Sequence, residues 1–569
     1  MAKDCDGSCR DAGRPGRVLL RSCGVLLLAI WLLGLVGAEA VPLPPPEAIP
    51  PPWLSGPAAI PAPPPAVADQ PPLFASWRNG LELASPDGDF AFAIGGRVQL
   101  DASGFTAGDG PAATPAAGGL NPPLSGAANL RRARLRAGGR LYESFDWASE
   151  FDFANQMTQY NVSFPTLVGP GSFPAMNDLW LQIRDLPILG TVRIGNQKDP
   201  YGLEHIGDSR WLTMMERSFS QDAFEGPFND GYLPGIQLLN HAADGRVAWY
   251  VGEFKNTANP FGFANSSGGS QTVGRLVVLP VFDADDGRVL HLGVSGRTMG
   301  LASVPSQIDP VTGTPTGPMI RGVRFRSRGD IRNGPPGPLN SIYADAGLLT
   351  GDWQNMLGVE LAAAAGPWSL QAEYFGSWLY GAATTGIDPI NSGLQPPPGT
   401  PLGTVFFQGG YLEAAWFLTG ESRSYDLSLS RFGRPVPRHN FYRLRDPDRA
   451  GRIRTSIGAW QLALRYNYLC LDDGEVHGGV LNGMTVGINW LLNPNARLYF
   501  NYDFTYRDFT NFAALTAVAA STDLARGWRL ISRFCRDLSG RRCGSRGGSP
   551  RARARGFYGC RVRGRGCLC

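Results

Sequence analysis

From about residue 90 to residue 508 the chain alternates apolar and polar side chains, in runs of roughly nine to fifteen residues. In Trp368-Ser369-Leu370-Gln371-Ala372-Glu373-Tyr374 the even positions are apolar or aromatic and the odd ones polar. In Tyr411-Leu412-Glu413-Ala414-Ala415-Trp416-Phe417-Leu418 the even set is again the oily one. Phe145, Trp147, Phe151 and Phe153 share a face opposite Asp146, Glu150 and Asp152. Successive strand side chains point to opposite faces, so each run predicts a strand with one oily and one wet surface. The sharpest case is 131–142, where Ala133, Leu135, Ala137, Gly139 and Leu141 lie opposite Arg132, Arg134, Arg136 and Arg140. A soluble protein has little use for four guanidiniums along one strand face. A barrel in lipid does, because its outside must be apolar while its bore is wet and charged.

The connections exchange length. Long ones fall at 106–126, 157–176, 199–233, 256–270, 380–404 and 432–452, short ones at 187–190, 242–245, 283–287, 366–367 and 493–495. Long loops on one rim and tight turns on the other are the habit of outer-membrane barrels. The pattern predicts an all-β fold: a transmembrane antiparallel β-barrel over residues 73–511, of sixteen strands, least clearly divided across 300–356. Aromatics near strand ends fit the girdles at lipid headgroups.

The flanks differ from the body. Arg10, Arg14, Arg17 and Arg21 precede an apolar run from Val25 to Val36 and the small-x-small site Ala38-Glu39-Ala40, which reads as a signal peptide over 1–40. Fourteen prolines between 41 and 72 predict a stiff, extended linker that could touch the cell wall. Residues 512–569 break the alternation: from Arg526 onward there are thirteen arginines, five cysteines and one acid. The reading is a shift of reading frame after about Asn511; a genuine basic tail for anionic lipid or polysaccharide is the alternative.

Charge has to be placed before it says anything. The formal net charge is +4, but the tail contributes +12, so the barrel body is near −7 and overall charge carries no case for anions. Local placement does. Lysine occurs only at 3, 198 and 255, so arginine supplies the cations. Arg324, Arg326 and Arg328 form a second row beside few acids, with Asp330 nearest. Guanidiniums in a narrow pore concentrate anions and match phosphate or carboxylate bidentately. Two plainer readings stand beside this one. The next strand would set Asp146, Glu150 and Asp152 opposite the first row, bracing the wall, and the second row could be a loop touching lipopolysaccharide.

Enzyme signatures are missing. The five histidines stand apart, the body keeps one cysteine (Cys470), and no nucleophile elbow, phosphate loop or zinc-protease motif occurs. The chain is expected not to be an enzyme and to carry neither cofactor nor metal. The export signal removes nucleic acid as a partner.

Several stretches together resemble the phosphate-selective porin O and P family. They are Phe92 to Gln99, the Arg131-Arg132-Ala133-Arg134-Leu135 strand, Arg193-Ile194-Gly195-Asn196-Gln197-Lys198 and Met215-Glu216-Arg217-Ser218-Phe219, followed by Tyr411 to Glu421 and Val486 to Asn495. The resemblance spans about Trp77 to Asp508. It implies a sixteen-stranded outer-membrane porin, trimeric, whose third long loop folds inward. Here that loop is about Asp199 to Tyr232, with Lys198, Arg210, Glu216 and Arg217 at the constriction. It further implies an arginine and lysine path for phosphate. The arginines at 324, 326 and 328 resemble that path, while its lysines have little counterpart.

These readings converge on an outer-membrane porin for passive diffusion of small solutes, preferring anions such as phosphate or polyphosphate, embedded in outer-membrane lipid. The alternative is a structural barrel that anchors the envelope with little conductance.

Overall fold

The computed structural model describes residues 73–77, 80–107, 126–157, 163–164, 173–225, 231–256, 269–305, 319–332, 342–385, 396–445, 453–508 and 521–531. The signal and linker segments, and the tail beyond 531, lie outside the described residues.

Alternation produces strands. They are β1 (Phe90–Ala107), β2 (Ala127–Leu141), β3 (Phe145–Met157), β4 (Phe173–Leu186), β5 (Gly190–Lys198) and β6 (Tyr232–Ala242). Then come β7 (Val247–Lys255), β8 (Ser270–Asp283), β9 (Arg288–Gly300), β10 (Met319–Arg328), β11 (Ile342–Thr350) and β12 (Trp353–Ala365). The last are β13 (Trp368–Thr384), β14 (Pro401–Phe417), β15 (Ala459–Asp473), β16 (Val476–Asn493), β17 (Ala496–Asp508) and β18 (Ser521–Ile531). Each pairs antiparallel with the next from β1 to β9. β9 then pairs along its whole length with β12, and the ladder continues to β18, which pairs with β17 on one side and β1 on the other. The ladder therefore runs past residue 511, where the alternation had placed the end of the barrel.

The faces are reversed relative to a soluble protein. Leu135, Val251, Leu357, Val359, Leu412, Leu464 and Val486 are exposed, while Gln99, Arg132, Asp152, Gln271, Glu360, Arg465 and Asp503 are buried. Apolar surface in contact with water is unfavourable, so the outward face belongs against lipid, and the buried polar face lines the interior. Trp368 and Trp416 stack at 5.0 Å beside the short turn between β12 and β13, where an aromatic girdle belongs.

The arginine row of 321–328 lies on a hairpin: β10 and β11 pair inside the long connection between β9 and β12. One expectation is corrected. The long connection near 432–452 does not share a rim with the other long ones. Because strands alternate in direction, 418–458 leaves β14 at the rim of the short turns, and the tight turn between β15 and β16 lies on the long-loop rim. The exchange of lengths is thus broken once.

Candidate functional site: the lumen and its inward segments

Three segments fill the interior. The first, 199–231, carries α1 (Leu203–Ile206) and α2 (Phe219–Phe224) and is buried over most of its described length. Wall strands grip it from all sides. Arg131 and Arg132 bond Glu216, Arg97 donates to Ser209 Oγ at 2.7 Å, and Arg297 bonds Glu225 at 2.9 Å. Tyr499 Oη donates to Leu212 O, and Arg465 Nη1 lies 3.3 Å from Glu204. The Glu373 carboxylate accepts the Leu203 and Glu204 N–H groups that open α1, placing negative charge at the positive end of the helix. Ser218 caps α2, its Oγ accepting from Gln221 N.

The β10–β11 hairpin is the second inward segment. Arg328 bonds Asp222 of α2 at 2.6 Å, and Arg332 approaches the same carboxylate at 3.4 Å. Asp330 accepts from Asn467 and Thr485 and lies 3.2 Å from Arg465. Burial raises the Asp222 carboxyl, but Arg328 and Arg332 more than reverse this and hold it at about 2. The third segment, 418–458, enters from the short-turn rim. Arg423 donates to Thr213 Oγ1 and Trp211 O, and Arg431 donates to Ile206 O. The Trp211 ring has the Arg210, Arg434 and Arg497 guanidiniums within 5.1, 5.3 and 5.6 Å of its centroid.

The arginines anticipated from sequence divide into two groups. On β2 the register sets Arg134 opposite Asp152, Arg136 opposite Glu150 and Arg140 opposite Asp146. Arg134 bonds Asp152 at 2.7 Å and Glu150 at 2.9 Å, and Arg140 bonds Asp146 at 3.2 Å. Arg136 sits between Asp178 at 3.5 Å and Glu150 at 3.8 Å. Arg132 is held by Glu216, Arg324 by Asp345 at 2.6 Å, and Arg210 by Asp208. Paired in this way, each contributes little fixed charge to a passage.

The other group has no carboxylate within ion-pair distance among the described residues. Arg326 makes no ion pair. Lys198 donates to the carbonyls of His205 and Gly207, and Arg217 to those of Glu204 and Gly207. Arg193 donates to Gln182 and lies 4.2 Å over Trp180. Arg193 escaped the sequence reading, although it sits on the polar face of its run. Arg131 escaped it for a physical reason. Gln99 pairs with Arg132 but Leu100 with Leu130, so a β-bulge at Arg131 turns inward a side chain that strict alternation sends to lipid.

Comparison with known proteins fits this geometry. Residues 92–526 match the family described as phosphate-selective porin O and P. The chain is 26% identical over 441 residues to Porin O of Pseudomonas aeruginosa, covering 74% of this chain and 84% of that one. It is 26% identical over 478 residues to an uncharacterized protein of Caulobacter vibrioides, covering 81% and 77%. Among solved structures it is similar to OmpT of Vibrio cholerae (TM-score 0.39, 11% identity, 78% of this chain and 99% of that chain). It is also similar to an anion-selective porin from Comamonas acidovorans (TM-score 0.39, 12% identity, 78% and 100%). With its family match covering most of the chain, this protein belongs to the phosphate-selective porin O and P family and is a porin of the outer membrane.

Proposed function

We propose that the chain is a closed barrel of sixteen wall strands, assembled as a homotrimer, through which small anions diffuse down their gradient, with phosphate or polyphosphate as the substrate class. Closure is supported by the pairing of β18 with both β17 and β1. The trimer rests on the family resemblance alone. Anion preference is carried by one observation: Arg193, Lys198, Arg217 and Arg326 turn to the interior with no carboxylate in ion-pair reach among the described residues. Such groups raise the local anion concentration, and several weak sites in series let an ion enter and still leave. The compensated residues Arg132, Arg134, Arg136, Arg140, Arg324 and Arg328 line the same interior as braces. Nothing in this chemistry calls for an enzyme.

Reversal potentials across planar bilayers under a salt gradient test the reading. Anion preference is expected, with inorganic phosphate slowing chloride current; cation preference removes it. The three inward segments favour a second reading, a structural barrel tied to the envelope through the 41–72 linker. Bilayers that stay silent after insertion would select it.

A further inference from the structure

The five histidines stand apart in sequence, and no metal was expected. The fold changes the position of one. Asp199 at the end of β5, His205 in α1 and Glu225 just past α2 converge, with a ligand atom from each lying within 4.8 Å of the others. All three are buried, at 0%, 2% and 4% exposure. Polar groups so deep are expected to have partners. Neither ring nitrogen of His205 has a hydrogen-bond partner, and neither does Asp199 Oδ1. Yet His205 Nε2 and Asp199 Oδ1 lie 3.0 Å apart, off the line an N–H would take. A ring nitrogen and a carboxylate oxygen at that distance, with no aligned hydrogen between them, match in length the edge of a coordination polyhedron. Ligand bonds of roughly 2.0–2.1 Å in a tetrahedron give an edge of about 3.3 Å.

The surrounding groups are arranged as they are around bound metals, where outer partners orient the ligands. Gln271 Nε2 donates to Asp199 Oδ2 at 2.9 Å, leaving Oδ1 to face His205 Nε2. Arg297 Nη1 donates to both Glu225 oxygens, at 2.9 and 3.0 Å, and lies 3.7 Å from Asp199 Oδ2. One guanidinium facing two carboxylates leaves one negative charge in the cluster, while Lys198 is directed to backbone carbonyls. Gly231, at φ +77°, is required for the histidine's place: a Cβ there would fall 2.0 Å from His205 Cε1.

We infer that Asp199, His205 and Glu225 bind one divalent transition cation, of the Zn2+ or Co2+ class, with solvent completing the shell. One imidazole and two carboxylates are a donor set such ions accept. The three ligands lie at the root, in the first helix and at the far part of the same inward segment, so the ion would clasp 199–225 into a ring. This inference does not depend on ion selectivity, because its readout is metal itself.

The test uses the full-length chain in detergent, stripped with EDTA and dialysed. Isothermal titration with Zn2+ is expected to give one equivalent per chain, and Co2+ to give visible d–d absorption with an imidazole-bound signature. Asp199→Asn, His205→Gln and Glu225→Gln should each weaken Zn2+ at least about tenfold, while His477→Gln should leave it unchanged. Circular dichroism confirms that each variant is folded. If a variant fails to fold, the Co2+ spectrum of the unaltered chain decides alone. No stoichiometric binding, or Co2+ bands that persist in folded His205→Gln, overturns the site.

Discussion

Arg134 on β2 and Arg326 on β10 occupy the same kind of position, alternate residues of an arginine-rich strand, and face opposite surroundings. Arg134 meets Asp152 and Glu150 across an antiparallel register, while Arg326 meets no carboxylate at ion-pair distance among the described residues. The wall strand faces an acid across from each of Arg134, Arg136 and Arg140, whereas the one acid opposite Arg326 on the hairpin, Asp345, is taken by Arg324. Counting arginines therefore overstates fixed charge. What a passing ion feels is the uncompensated remainder, and among the described residues that remainder includes Arg193 on β5, Lys198 and Arg217 at and within the 199–231 segment, and Arg326 on the β10–β11 hairpin.

The largest effect should come from breaking compensation. Glu216 is shared by Arg131 and Arg132, and all three side chains are at most 9% exposed. Glu216→Ala leaves two buried guanidiniums facing each other, a change that costs about 3–5 kcal/mol where one partner of a buried pair is removed. The expected result is a clear loss of thermal stability by circular dichroism, with the inward segment released from β2. A melting temperature equal to that of the unaltered chain would show that these charges reach water and are not a closed brace.

Selectivity sharpens the comparison next. Removing one unpaired unit charge about 8 Å from an ion's path in a water-like dielectric is worth roughly 0.5 kcal/mol, about twofold in anion occupancy. Arg326→Gln should therefore lower the anion-to-cation permeability ratio by about that factor, read from reversal potentials. The double change Arg140→Gln with Asp146→Asn removes one charge of each sign, leaving Arg184 without its 2.9 Å partner but the net charge as it was, and should leave the ratio unchanged. Equal loss in both would erase the distinction between brace and attractor. At about 1 M salt, where the Debye length is about 3 Å, the Arg326 effect should shrink toward nothing.

How much of this could be read in the chain follows the same division. The wall was legible because a single rule, oily outside and wet inside, acts on every strand: Trp368 and Tyr374 are exposed while Ser369, Gln371 and Glu373 are buried, as alternation requires. The β2–β3 ion pairs were legible too, because a tight turn fixes the register. The inward segments were not. Val323 and Phe325 turn one face of β10 into apolar packing while Arg324, Arg326 and Arg328 take the other, so a lumenal hairpin shows the same period as a wall strand. What distinguishes them is that β9 pairs directly with β12, a long-range fact without a local signature. The reversed rim of 418–458 is hidden for a similar reason, since loop length does not encode strand direction. His205 depended wholly on the fold to gain carboxylate neighbours. Burial pushes its imidazole down to about 4 despite Asp199 beside it, so at neutral pH it is an uncharged base.

The smallest predicted effect concerns acid, and it tests whether the hairpin is clasped by charge or by packing. Asp222 in α2 accepts from Arg328 N at 2.8 Å as well as from that residue's guanidinium. Its carboxyl is held at about 2, below the ordinary 3.8. A group whose folded value is depressed contributes stability that is complete above its unfolded value and is lost as pH falls through the folded one. The clasp should therefore be unchanged from pH 7 to about 4 and weaken only toward pH 2. Hydrogen exchange at the Arg328 amide, corrected for the intrinsic rate, measures it. Protection should be flat down to about pH 4, fall below pH 3, and already be reduced at neutral pH in Asp222→Asn. Protection that persists at pH 2 would assign the docking to the apolar contacts of Phe325 with Phe224 and Phe407, at centroid distances of 6.0 and 4.9 Å, and leave the ion pair without a mechanical role.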